Sequence, residues 1–253
     1  MANDAQASSF APVAARGPLK IVWGTFATMM GVVYTAIFAP IAAVCALFGC
    51  PAPVTQIARL WGWLIIKTSG IRVEIEGLEN LAELKSYILV SNHQSFFDIF
   101  AVAAYMPGAV RFVAKKELLK IPILGYALNN SCHIVIDRQG GGKAIRHAVD
   151  VTRKGYSICV FAEGHRFNDN RVHEFEDGAA WLAILAKLPA VPMAVSGSGL
   201  FFPRRAMIVV PGGTMRMRIG EPVATAGMRS ADRVELTRKL EESVKSMFTE
   251  EVY

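Results

Sequence analysis

Residues 89–98 read LVSNHQSFFD, an apolar segment that carries His93 five positions before Asp98. The chain has only five histidines in 253 residues, so this pair needs a reason. The run YILVSN at 87–92 reads as a buried strand, and FDIFAVAAY at 97–105 has helical spacing. His93 then falls in the turn beyond the strand's carboxyl end, the edge at which open α/β sheets bind ligands. Asp98 falls in the first helical turn, within reach of one imidazole nitrogen. A carboxylate there fixes the tautomer, steadies the imidazolium and leaves the second nitrogen as a base. A plainer reading fits the same residues: Ser95 and Asp98 form an S-x-x-D capping pattern, and Asn92 is an ordinary turn residue. Spacing alone leaves both readings open.

Similar short runs follow on either side. IRVEIEG at 71–77 alternates like an exposed strand, while CHIVID at 132–137, SICVFAE at 157–163 and AVPMAVS at 190–196 are compact and β-branched, as buried strands are. Helical periodicity fits residues 96–106, 142–153, 178–187 and 231–248. AMIVV at 206–210 and TMRMRI at 214–219 flank Gly212 and Gly213, and are expected to pair as a hairpin. The fold class is α/β, with a mixed, largely parallel central sheet flanked by helices.

The amino-terminal part is different. Residues 1–19 read as a flexible tail, and Ile21 to Cys50 contains thirty residues without a formal charge. About 20 apolar residues suffice to span a bilayer, and a signal peptide has an apolar region of only about 7–15. Pro40 is expected to break or kink the helix near Ala39, and Pro51 and Pro53 separate it from a second apolar helix at 54–70. Trp61, Trp63, Arg59 and Lys67 suit a headgroup boundary. Residues 20–70 therefore read as a membrane-inserted helical hairpin, with a single span and a buried soluble hairpin as the other readings. Residues 71–253 form the globular domain. LFGC at 47–50 has only a faint likeness to a lipoprotein cleavage box, because bulky Phe48 stands where a small residue is wanted.

A net charge of +6 favours anionic surfaces or an acidic partner, and no aromatic-interleaved basic tract points to nucleic acid. Cys45, Cys50, Cys132 and Cys159 lack C-x-x-C spacing, so a reduced compartment is the default. Histidines are scattered without H-x-x-x-H spacing, and no metal site is expected. No G-x-S-x-G elbow supports a serine hydrolase. A non-catalytic lipid-binding protein is the other rival, and it would leave His93 and Asp98 dispensable. FAEGHRF at 161–167 puts Glu163, Gly164 and Arg166 in a turn after a buried strand, and IVIDR at 134–138 ends another strand with Arg138. Each arginine is either a phosphate grip or a solvated loop charge.

The order and content of these segments resemble the 1-acyl-sn-glycerol-3-phosphate acyltransferase family across roughly residues 70–225. NHQSFFD is similar to its N-H-x-x-x-x-D block, which implies His93 as general base and Asp98 as its partner. VAKKELLKIPILGYAL through IVIDR resembles the second block at Lys116, Glu117, Pro122, Gly125 and Arg138, and implies that Arg138 helps hold the acceptor phosphate. FAEGHRF is similar to F-P-E-G-T-R at Phe161, Glu163, Gly164 and Arg166, a phosphate-binding set by resemblance. AVPMAV resembles the fourth block at Pro192. Lys116, His165 and Pro192 are candidate substrate-pocket residues.

The resemblance implies metal-independent acyl transfer in phospholipid synthesis without a bound cofactor. Acyl-CoA or acyl carrier protein would be the co-substrate, and the partners would be the lipid bilayer and a lysolipid acceptor. It also implies a site on the cytoplasmic side of the inner (plasma) membrane. Ala162, His165 and Phe167 depart from the family pattern, as do Glu176 and Asp177, where a lysine is usual. Those departures leave another lysolipid or a lyso-aminolipid as the alternative acceptor. Phe96 and Phe97 read either as core or as lining of the acyl path.

Overall fold

The computed structural model describes residues 17–48, 51–120, 133–136, 141–167, 169–203 and 206–249. Strand β2 (Ile88–Ser91) lies between β5 (Ser157–Phe161) and β6 (Ala190–Ser196), parallel to both. Its Leu89 enters the core on one face of the sheet, and Ile88 and Val90 enter the core on the other. Both faces are covered, which is why this strand is apolar without alternation.

The remaining strands are β1 (Ile71–Glu76), β3 (Val110–Lys115), β4 (Ile134–Ile136) and β7 (Gly213–Ile219). Among the described residues they form a seven-stranded sheet in the order β1-β7-β6-β2-β5-β3-β4. Every pairing is parallel except that of β6 with β7. The carboxyl ends of β2, β5, β3 and β4 therefore share one rim with that of β6, as the mixed, largely parallel class requires.

Helices cover the two faces. On one lie α1 (Pro18–Leu47), α2 (Pro51–Thr68) and α3 (Phe96–Tyr105), which contribute Ala27, Ile65, Ile66, Phe97, Ala101 and Val102 to the core. On the other lie α4 (Gly141–Arg153), α5 (Gly178–Ala186) and α6 (Arg233–Met247). In α6 the buried residues Leu236, Leu240 and Val244 recur every fourth position, one helical face.

Several expectations need correction. The segment 206–210 is not a strand. Val209 donates its N–H to Thr28 Oγ1 of α1 at 2.9 Å and Val210 donates to Phe201 O at 2.8 Å, so the backbone groups that a hairpin would use are spent on α1 and on the preceding turn. β7 pairs instead with β6 and β1. β3 is a strand that the sequence pattern does not show, because Arg111 and Lys115 interrupt its apolar run. Arg111 is nevertheless buried, its guanidinium 4.3 Å from the Tyr156 ring centre and 3.3 Å from Thr55 Oγ1. α1 continues through Pro40 to Leu47 rather than breaking at Ala39, as apolar helices tolerate.

Within the helical pair, Trp61 and Arg59 also make contacts inside the protein. Trp61 donates to Thr35 of α1 at 3.1 Å and meets the Phe100 ring edge-on at 4.9 Å. Arg59 donates to the carbonyls of Met106 and Gly108 just past the end of α3, at 3.0 and 2.9 Å, where a cation complements the helix dipole. Trp63 and Lys67 remain exposed.

Asn92, read as a turn residue, clamps the sheet beyond the end of β2. Its amide accepts from Val195 N at 2.8 Å and donates to Val195 O at 2.9 Å, fully buried. Asn92→Ala would leave both backbone groups unpaired, a loss of about 2–5 kcal/mol. Urea unfolding checks this; a variant of unchanged stability would show that the clamp contributes nothing.

Candidate active site

Past β2 the chain turns through Asn92, His93 and Gln94 into α3. Ser95 is the N-cap, with extended backbone, and its Oγ accepts from Phe97 N at 3.4 Å. Asp98 lies three residues on and closes the capping box, its Oδ2 accepting from Ser95 N at 2.9 Å. The same oxygen accepts from Gln94 N and lies against His93 Nδ1, each at 2.8 Å. Capping and orientation of the imidazole, two alternatives in the sequence, are thus done by one carboxylate oxygen. Asp98 is fully buried, and the His93 side chain is 13% exposed. With Nδ1 engaged, Nε2 is the nitrogen left to take a proton. The imidazole lies flat on the Phe161 ring, centroids 4.0 Å apart at 13°.

Past β5, Glu163 takes a place that its phosphate-binding assignment did not anticipate. Its carboxylate is buried, with Oε2 accepting from His93 N and Oε1 from His173 N, both at 3.0 Å. Glu163 is therefore an internal strut between the His93 turn and the loop after β5. Gly164 turns the chain with φ of +70°, a left-handed conformation suited to glycine. A Cβ there would strike the Glu176 carboxylate, which fills the space beside it. Asp177, the second acidic departure, pairs with Arg233 at 2.6 Å.

Arg166 is half-buried, its guanidinium carbon 3.9 Å from the centre of the Phe96 ring. This stacking brings a cation to the start of α3, which carries Asp98 and follows the His93 turn. Phe97 is core and Phe96 is the platform for Arg166. His165 is exposed, 4.5 Å from the Phe167 ring, which in turn stacks on His173 at 3.6 Å. His173 faces Asp169 at 2.8 Å in a second, more exposed imidazole–carboxylate pair.

Lys116 is exposed at the carboxyl end of β3, on the same rim. Pro192 is buried within β6 beside Val90, four residues before that strand's end. Arg138, Pro122 and Gly125 lie outside the described residues, as does the side chain of Glu117. Among the described residues no group of three His, Cys, Asp or Glu side chains is placed to hold a metal ion.

Two other nucleophiles near the turn are otherwise engaged. Ser95 Oγ is the cap and also donates to Phe202 O at 3.3 Å. Burial, and then the nearby Asp98 charge, push the Cys159 thiol far above its usual range. It stays protonated and inert.

Burial also raises the Glu163 carboxyl from 4.5 to about 7, against the lowering effect of its two backbone N–H partners. An unfolded carboxyl releases its proton near 4.5, whereas the folded one holds it to about 7. Glu163 therefore contributes stability that is complete below about pH 4.5 and is lost as pH rises through 7. Urea unfolding in mild detergent should show the wild-type stability, less that of E163Q, falling across this window. A difference that stays flat would contradict the burial effect.

Comparison with known proteins accords with this geometry. An acyltransferase family model matches residues 72–196. The chain is 31% identical over 211 residues to the human 1-acyl-sn-glycerol-3-phosphate acyltransferase alpha, covering 82% of this chain and 74% of that protein. It is 31% identical over 192 residues to the 1-acyl-sn-glycerol-3-phosphate acyltransferase of Pseudomonas aeruginosa, covering 74% of this chain and 73% of that one. The crystal structure of the 1-acyl-sn-glycerophosphate acyltransferase PlsC from Thermotoga maritima superimposes with a TM-score of 0.76 at 24% identity, over 90% of this chain and 96% of that one, and so shares the fold. With identity of this level over most of both chains, the protein belongs to the 1-acyl-sn-glycerol-3-phosphate acyltransferase family.

Proposed function

We propose that this protein moves a fatty acyl group from a thioester donor to the free hydroxyl of a lysophosphatidate-type acceptor, a step of phospholipid synthesis. The observation that carries this reading is the 2.8 Å contact of His93 Nδ1 with a buried carboxylate oxygen, in a chain whose relatives bear that activity in their names. Asp98 holds the Nδ1–H tautomer. Nε2 takes the proton of the acceptor hydroxyl as its oxygen attacks the thioester carbonyl. The tetrahedral oxyanion then collapses, the carbon–sulfur bond breaks, and the leaving thiolate takes the proton from the imidazolium. Arg166, stacked on Phe96, is the residue we assign to the acceptor phosphate, together with Arg138 on the strength of the family pattern.

The donor is acyl-CoA or acyl carrier protein, and a chain of charge +6 suits either acidic carrier. Residues 71–253 would carry the chemistry, and the helices within 20–70 would anchor it to the membrane. Support for the anchor comes from α1, whose Leu19, Val22, Phe26, Met29 and Val32 are exposed along a helix long and apolar enough to cross a bilayer. The catalytic rim would then face the cytoplasm at the inner membrane. One observation favours a second acceptor: the Glu176 carboxylate lies against Gly164, two residues from Arg166, and exposed His165 adjoins it. A negative charge there suits a lysolipid with an amine-bearing headgroup.

His93→Ala should lower turnover by about 10² to 10⁴ while circular dichroism stays native; near-normal turnover in a folded variant would remove the base from its role. Arg166→Ala should raise the acceptor KM more than it lowers kcat, and an unchanged acceptor dependence would contradict the phosphate assignment. A lysolipid panel assayed with each donor should rank lysophosphatidate first. Preference for an amine-bearing acceptor would establish the second reading instead.

A further inference from the structure

The segment between β6 and β7 carries large apolar side chains outward beside α1. Met207 is 86% exposed and Ile208 37% exposed. A lone exposed methionine needs no explanation. These two differ because the backbone around them is held. Val209 is buried, and its N–H donates to Thr28 Oγ1 of α1 at 2.9 Å. Gly24, one turn earlier on α1, has no Cβ and so lets the Val209 carbonyl reach the helix surface. Ala206 N bonds to Pro203 O at 2.9 Å, and Gly212 N bonds to Ser69 O, past the end of α2, at 2.9 Å. The chain on both sides of Met207 and Ile208 is thereby fixed, and the pair is presented to the outside by design of the backbone rather than by a loose tip.

What lies beside them selects the occupant. The loop rests on the stretch of α1 whose other faces expose Val22, Phe26 and Met29. We infer that Met207 and Ile208 form a second bilayer contact, inserted into the acyl region of the same leaflet that receives α1. This rests on the reading of α1 as a membrane anchor. Continuity with that apolar surface is what favours lipid over a protein partner.

The loop is also the continuation of the catalytic rim. Phe202 O accepts from Ser95 Oγ at 3.3 Å, and the Phe202 ring is 6.1 Å from Phe96, the platform for Arg166. A side chain inserted at Met207 would lie about 5–10 Å below the headgroup boundary. Five residues away along the chain, Phe202 would then bring the rim to the level at which a lysolipid presents its hydroxyl and phosphate. The α1–α2 pair alone sets attachment; a second point of contact also sets the tilt.

Photo-crosslinking of the full-length chain tests this. p-Benzoylphenylalanine is placed at Met207, at Val33 on the exposed face of α1, or at Glu242 on the exposed face of α6. Each variant is reconstituted in vesicles of phosphatidylethanolamine and phosphatidylglycerol, irradiated and analysed by mass spectrometry. Adducts at position 207 should form on lipid acyl chains, at about tenfold the yield of position 242, as insertion at the acyl boundary requires. Acyl adducts at 33 with only the 242 level at 207 would overturn the loop contact and leave the α1 anchor standing. Background yields at both 33 and 207 would overturn the anchor and the loop contact together.

Discussion

One oxygen atom, Asp98 Oδ2, organises the turn between β2 and α3. It faces the imidazole of His93 and accepts the backbone N–H groups of Gln94 and Ser95. A fully buried carboxylate is costly unless its charge is met by donors, and here three of them, together with the amino-terminal end of α3, meet it. The helix start, the turn and the orientation of the imidazole consequently form one structure. A change that disturbs one of them disturbs all three.

The sheet decides what stands near that oxygen. β2, β5 and β6 are adjacent and parallel, so their carboxyl ends meet although their sequences are far apart. Asn92, just beyond β2, ties the turn to Val195 of β6, and Glu163 ties the backbone of His93 to that of His173. Both are side chains holding backbone groups, which fixes the geometry of the turn. Phe161 beneath the imidazole and Phe96 beneath Arg166 supply apolar floors. Such a rim suits an acceptor that is a lipid with a charged head.

Much of this was legible in the sequence because burial on both faces of a parallel sheet leaves a plain signature. The apolar runs of β2, β5 and β6 and the periodic segments from α3 onward match the observed elements to within two residues. The proximity of His93 and Asp98 could be read as well, since five residues across a strand-to-helix turn allow few alternatives. Glu163 lies in the turn that the sequence marks, with its carboxylate engaged inside the protein. Its carboxylate reaches backbone N–H groups 70 and 10 residues away in the chain, and no residue pattern marks a backbone donor. β3 has no clear strand signature, because Arg111 looks like a surface residue until Tyr156 and Thr55 surround it. The 206–210 run has strand composition, yet α1 claims its hydrogen bonds, a tertiary preference that local composition does not carry.

In the proposed mechanism Asp98 makes His93 a base by holding its tautomer. Steady-state kinetics of Asp98→Asn, with lysophosphatidate and an acyl thioester, tests it most directly, because the amide keeps the size of the side chain and loses the charge. The expected result is a fall in kcat of about 10² to 10⁴ with little change in acceptor KM. A folded Asp98→Asn protein that turns over at the wild-type rate would contradict it.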